Sequence, residues 1–270
     1  MTPVSRLASS VLSAALVGVI VLAAYADPAL VAAAVVVVQA LVASAPRLRD
    51  ARGRSIATPR FVPAILAGLV ASVLVLMPDL LPRAEGTHDV FAAATTGSFS
   101  GVLPAVAVGV FAAAITQMVR RDGRRELASA LAYATTLAVT SALAAGWIGA
   151  SQSFGQADSV AIGAAGLAFG LLIWAIPGDR YLLGGAAVVG GAAAAALVCV
   201  LVEPGPHPLL GVAVGGGSAS FGVIGQVLGR ALISGRSHAS VGWGFPGATA
   251  VALAAPIVYI GSQLVATRGL

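Results

Sequence analysis

Long apolar runs separated by short polar breaks make up almost the whole chain. The runs fall at residues 7–25, 28–43, 61–77, 91–119, 127–148, 160–176, 182–202, 209–233 and 248–266. Most reach or approach the roughly 18 apolar residues that mark a membrane span. They are continuous rather than alternating, which argues against a β-barrel. In hydrocarbon every backbone N–H and C=O must be paired within the segment, so each run is expected to be a helix. The pattern predicts an all-α, polytopic helical integral membrane protein of about nine transmembrane helices, with a range of eight to ten. No break is long enough for a soluble domain, so residues 1–270 read as a single transmembrane domain.

Several breaks carry turn chemistry. Asp27-Pro28, Pro177-Gly178-Asp179-Arg180 and Glu203-Pro204-Gly205-Pro206-His207-Pro208 are each turns by composition. Ala24-Tyr25-Ala26 fits the small-x-small pattern of a signal-peptide cleavage site. The apolar run that follows at once is instead the pattern of a retained helical hairpin. The fourth run, 91–119, is longer than a bilayer core requires, and Pro104 inside it is the natural kink.

Composition sharpens the class. Hydrophobic residues make up 59% of the chain and charged ones 9%, against about 25% charged in soluble domains. All fifteen basic residues are Arg. With the N-terminus cytoplasmic and nine crossings, thirteen of them face inward and only Arg83 and Arg268 face outward, as the positive-inside rule requires. Of the ten acids, Asp50, Asp122, Glu126 and Asp179 then lie inside and six lie outside. This predicts a multi-pass protein of the cytoplasmic membrane. The island at 120–126 anchors that orientation, and Arg120, Arg121, Arg124 and Arg125 are its candidate topology and lipid contacts. Anionic membrane lipids at the inner face are the expected partners, each Arg contributing about 1 kcal/mol near a charged surface. A membrane-protein partner or a homodimer is also expected. Nucleic acid is not, because no basic groove with interleaved aromatics is present.

Glycine patterning is the richest local signal. Gly166 and Gly170, Gly211 and Gly215, and Gly225 and Gly229 are small-xxx-small pairs. Glycine lets helix backbones approach closely, so these six are candidate helix-packing positions. Gly215-Gly216-Gly217-Ser218 is the place where a broken helix near a binding site is expected if one exists. Thr95, Thr96, Ser98 and Ser100 are candidate lining for a polar cavity, though membrane-helix hydroxyls commonly bond the preceding turn. Gln39, Gln117, Gln226 and Gln263 suit interhelical hydrogen bonds, and Arg230 is expected to snorkel to the inner face.

The chemistry that is missing narrows function. No acid lies within the core of any run, which disfavours an ion-coupled pump. His88, His207 and His238 are isolated, Cys199 is the lone cysteine, and no phosphate loop ending in Lys is present. No catalytic, cofactor-binding or metal-binding residue is therefore assigned, and no cofactor is expected.

Three stretches of the C-terminal third carry a family resemblance. They are Gly225-Gln226-Val227-Leu228-Gly229-Arg230, Gly244-Phe245-Pro246-Gly247 and Ala254-Ala255-Pro256-Ile257-Val258-Tyr259. Together they resemble the end of the phosphatidate cytidylyltransferase family. That resemblance implies CDP-diacylglycerol formation from CTP and phosphatidate with a divalent metal. The chain departs from the family where its chemistry resides. The Lys-Asp pair and the closing Asp-Arg-x-Asp have no counterpart, and Gln226 stands where an acid follows the glycine. No catalytic residue is carried over. The expectation is a non-enzymatic permease-like or partner subunit in envelope or lipid handling. The alternatives are a small-solute transporter with a cavity near the fourth and eighth runs, and a degenerate cytidylyltransferase-like enzyme.

Overall fold

The computed structural model describes residues 3–48, 56, 60–80, 99–120, 126–153, 156–202, 207–233 and 244–268. Among these residues the protein is all-helical, with no strand. The helices are α1 (Pro3–Ala24), α2 (Pro28–Ala43), α3 (Phe61–Leu76), α4 (Val102–Met118) and α5 (Leu127–Leu143), followed by α6 (Gly146–Gln152), α7 (Gln156–Trp174), α8 (Arg180–Leu201), α9 (Pro208–Ile233) and α10 (Gly244–Arg268). Short 3-10 turns at Pro78–Leu80 and Phe99–Gly101 flank the interval between α3 and α4. Seven stretches are long and apolar enough to cross a membrane, and α2 and α3 are apolar but only 16 residues each.

Local chemistry sets the helix starts. Asp27 accepts the Ala29 N–H at 2.6 Å, and Pro28 supplies a preset φ where no N–H is needed. Asp179 accepts from Tyr181 and Leu182, capping α8. At α9, His207 Nδ1 accepts the Leu209 N–H at 3.2 Å. Pro104 falls in the first turn of α4, after the 3-10 turn, rather than in mid-helix. At that position a proline costs no internal hydrogen bond, so the expected kink has no cause. The fifth apolar run is not one helix. It turns at Ala144-Ala145 and resumes as α6, where Gly146 lies against the backbone of Ala255 in α10.

Two helix groups share α10. The first comprises α7, α8 and α9, with α1 packed on α7. In the second, α3 packs against α2, α4 and α5. α10 contacts α9, α7 and α1 on one side and α2, α5 and α6 on the other, and it is the most enclosed helix. Valines at 31, 35, 38 and 42 form a single stripe along α2 that joins the main core. α4 and α8 are the least enclosed of the long helices. They turn Leu103, Phe111, Ile115 and Met118, and Leu182, Val189, Leu197 and Leu201, outward. Large apolar side chains on that perimeter suit lipid contact.

Helix ends pair consistently. Arg6 lies over Trp174, Gly229 meets Pro246, and the Tyr133 hydroxyl donates to the Pro46 carbonyl at one end of the bundle. Tyr25 donates to Asp158 and Gln152 to Leu76 at the other. Described arginines 6, 47, 60, 120, 180 and 230 therefore fall at one end, together with Glu126 and Asp179, and Asp27, Asp79, Asp158 and Arg268 fall at the opposite one.

Candidate functional site

The densest polar junction lies where α1, α9 and α10 meet, beside the end of α7. Arg230, in the last turn of α9, is only 9% exposed. Its Nη2 donates to Ser9 Oγ of α1 at 2.7 Å and to Gln226 Oε1, one turn earlier, at 3.0 Å. The side chain thus reaches across to another helix instead of running out toward the polar boundary. The physical reason is that two acceptors are held where Nη2 meets both. Gln226, fully buried, uses its other end to donate to Ser10 Oγ at 3.0 Å. Ser9 in turn donates to the Arg6 carbonyl at 3.0 Å. The Ser13 hydroxyl lies 2.8 Å from the Ser9 carbonyl and 3.1 Å from that of Gly247 in α10. Glycine at 247 is what permits this, since a Cβ there would stand 2.7 Å from the Ser9 carbonyl oxygen.

The charge balance at this junction is one-sided. Arg6, also positive, stands one turn before Ser9 on α1, the residue that Arg230 binds. The Arg6 guanidinium sits 5.7 Å from the centre of the Trp174 ring, within cation–π range. Trp174 is 5% exposed, and its Nε1–H has no hydrogen-bond partner among the described residues. Asp179, in the turn after α7, uses its Oδ1 to cap α8. Among the described residues the arrangement offers unspent donors and positive charge, with no carboxylate bonded to Arg6 or Arg230 and no nucleophile beside a base. Such a set of groups can hold an anion.

The six small-xxx-small glycines all stand at close backbone crossings. A Cβ on Gly166 would run into the Gly215 backbone, joining α7 to α9. One on Gly170 would meet Ala219 and, at 3.0 Å, the Ala187 carbonyl of α8. A Cβ on Gly211 would stand 2.9 Å from the Ala195 carbonyl oxygen, and one on Gly215 2.6 Å from that of Gly191. A Cβ on Gly225 or Gly229 would meet α10, 2.6 Å from the Ala250 Cα and 2.7 Å from the Pro246 Cα. α9 runs unbroken through Gly215-Gly216-Gly217. The triplet is explained by packing. Gly215 faces α7 and α8 while Gly217 faces Ile257 of α10, so consecutive glycines serve different neighbours.

Thr95, Thr96 and Ser98 lie outside the described residues, as do Arg121, Arg124 and Arg125. Ser100 is exposed in the 3-10 turn before α4. Arg120 Nη1 donates to Gln117 Oε1 at 2.6 Å just past the end of α4. α4 packs on α3 and α5, whereas α9 packs on α7, α8 and α10. A small cleft between α7, α9 and α10, lined by Ser159, Ile162, Gly211, Val214 and Gly261, encloses about 10 Å³. That is about the space of one water.

A second polar centre lies in the α2–α5 group. Gln39, 1% exposed, donates to the Gly68 carbonyl, to Ser72 Oγ and to the Ser141 carbonyl at 3.0, 2.9 and 3.3 Å. Its Oε1 and the Ser141 hydroxyl have no partner among the described residues. The amides at 39 and 226 were visible in the sequence as interhelical bonders. Ser9, Ser10 and Ser13 were not singled out. Their i, i+4 spacing in an otherwise apolar run was the available signal.

A divalent metal, which the cytidylyltransferase resemblance implies, does not fit the Gln226–Arg230 stretch, where an amide and arginines converge. Among the described residues no group of three His, Cys, Asp or Glu side chains is placed to hold a metal. Of the four inner-face acids, Asp50 and Asp122 lie outside the described residues. Glu126 precedes α5 and Asp179 precedes α8, in different helix groups. No protein-family model, curated protein or solved structure matches this chain.

Proposed function

We propose that this chain is a nine-pass protein of the cytoplasmic membrane, N-terminus inside. It acts as a non-enzymatic permease-like or partner subunit in envelope or lipid handling. The observation that carries this reading is the arginine junction, without a bonded acid among the described residues, set into one end of a close-packed helical bundle. Such a junction suits a standing contact with an anionic partner at the membrane boundary. The gathering of arginines at that same end supports its assignment to the cytoplasmic face. α2 and α3, at about 24 Å each, complete the nine crossings if the bilayer thins locally or flanking residues extend to the boundary.

Reporter fusions at Gly123 and Gly205 are expected to fall on opposite faces, with Gly123 cytoplasmic. Both on one face would sink the nine-pass arrangement. Purification in mild detergent is expected to retain a stoichiometric phospholipid or an envelope protein. A monodisperse chain that retains neither would remove the partner reading. The small-solute transporter ranks second, supported by the unpartnered buried atoms of Gln39 and Ser141. The degenerate cytidylyltransferase ranks third, because it lacks converging carboxylates among the described residues.

A further inference from the structure

We propose that Arg6, Arg230 and Trp174 form a binding site for the phosphate of an anionic phospholipid headgroup. The proposal deepens the lipid-handling reading by naming the ligand class and the residues. Three independent features converge. Arg230 of α9 donates to Ser9, which in turn binds the carbonyl of Arg6 one turn earlier on α1, so two arginines meet at the same helix ends. Like charges placed together repel, and an anion beside them relieves that repulsion. Arg230 is nine-tenths buried, and only its Nη2 is used within the described residues. Donors on Nε and Nη1 remain for oxyanion contacts of the kind guanidinium forms best. The buried Trp174 indole N–H, beside Arg6, is a further unspent donor.

The surroundings add to this. The first turn of α10 abuts the same place, with Gly229 against Pro246, so the positive end of a 25-residue helix faces the arginines. Ser9 and Gln226 orient Arg230 without neutralising it.

A lipid, rather than a soluble phosphate, fits the location. The arginines sit within a turn or two of the helix ends, the depth at which lipid phosphates lie relative to spanning helices. The same ends carry outward apolar side chains, Leu7 and Val11 on α1 and Leu172 and Ile176 at the end of α7, that acyl chains would cover.

The test is native mass spectrometry of the full chain in mild detergent, offered phosphatidylglycerol or phosphatidylcholine. Phosphatidylglycerol is expected to be retained in preference, at one molecule per chain. At about 1 kcal/mol per arginine, Arg6→Gln and Arg230→Gln should each weaken that retention about five-fold, and the double variant about thirty-fold. Arg268→Gln, at the opposite end of the bundle, should leave it unchanged. Among the described residues Arg6 makes no side-chain hydrogen bond in the buried network, so R6Q carries the test alone if R230Q does not fold. Retention by R6Q equal to that of the parent chain overturns the proposal, as does an equal loss in R268Q. Displacement of the lipid by millimolar inorganic phosphate would make this a free-anion site and also overturn it. Binding in detergent does not depend on orientation. A failure here therefore leaves the fusion experiment standing, and an inverted topology would leave this result intact.

Discussion

The α7–α9 group and the α2–α5 group solve the same problem in different ways. In lipid no hydrophobic force draws helices together, so packing or hydrogen bonding must do it. The first group removes side chains. Gly166, Gly191 and Gly215 bring three backbones into direct contact. The second keeps mostly alanine and valine faces and adds buried amides, of which Gln39 makes the most bonds. Gln39 reaches from α2 to carbonyls on α3 and α5 at once. Gly68 serves that amide. A Cβ at Gly68 would stand 2.8 Å from the Gln39 side-chain carbon. The first solution tolerates almost no added volume. The second tolerates volume at the right places but depends on a few polar atoms.

Substitutions can separate the two designs. Gly215→Val should be the most damaging change, costing about 3 kcal/mol or more, because the added carbon meets the Gly191 carbonyl oxygen at 2.6 Å and a backbone cannot step aside cheaply. Thermal unfolding in detergent should show it, and a melting curve like that of the parent chain would refute backbone contact there. Gln39→Leu should cost about 1 kcal/mol by the same measurement, the usual worth of an interhelical polar contact in membranes. No loss would mean that the amide is a passenger. Gly185→Ala should be neutral or stabilising by up to about 1 kcal/mol, since nothing lies within 4 Å of the added methyl and alanine is the better helix former. Destabilisation there would indicate that the surface of α8 is covered by a partner.

The smallest effect concerns the opposite end of the bundle. Burial, together with the hydrogen bond to Asp158 and its charge, pushes the Tyr25 hydroxyl up from 10.0 to about 12. A raised value in the folded state means that the contribution is complete below pH 10 and is lost as pH climbs through 12. Stability should therefore fall slightly between pH 10 and 12 in the parent chain, and Tyr25→Phe should remove that slope. An unchanged slope would assign it to other groups.

Much of the helical layout was legible because its causes are local. Apolar length, the Asp27-Pro28 start and the Asp179 cap act within a few residues of where they are written. What faces what was not legible. The triplet at 215–217 reads equally as a weak helix and as a helix gripped from two sides. Only the positions of Gly191 and Ile257 decide between them. Pro104 misleads for a similar reason, since whether it kinks a helix depends on where the helix begins. The junction around Arg230 was least visible of all. The acceptor that draws Arg230 inward, Ser9, is 221 residues away in the chain, and serines in an apolar run look like filler until an arginine is placed against them.

Pro256 has a mechanical consequence. Lacking an N–H, it leaves the Ala252 carbonyl without its usual helical donor and makes this the natural bending point of α10. The second group grips α10 just there, through the Trp147 N–H donated to the Val251 carbonyl at 2.9 Å and through Gly146 against Ala255. The α7–α9 group holds α10 on both sides of that point, at Pro246 and Ala250 and again at Ile257 and Val258. Both helix groups thus clamp one rod across its weakest joint. Flexing α10 at Pro256 must loosen contacts to both groups at once, so the start of the rod, beside the arginine junction, is held as a splint holds a fracture.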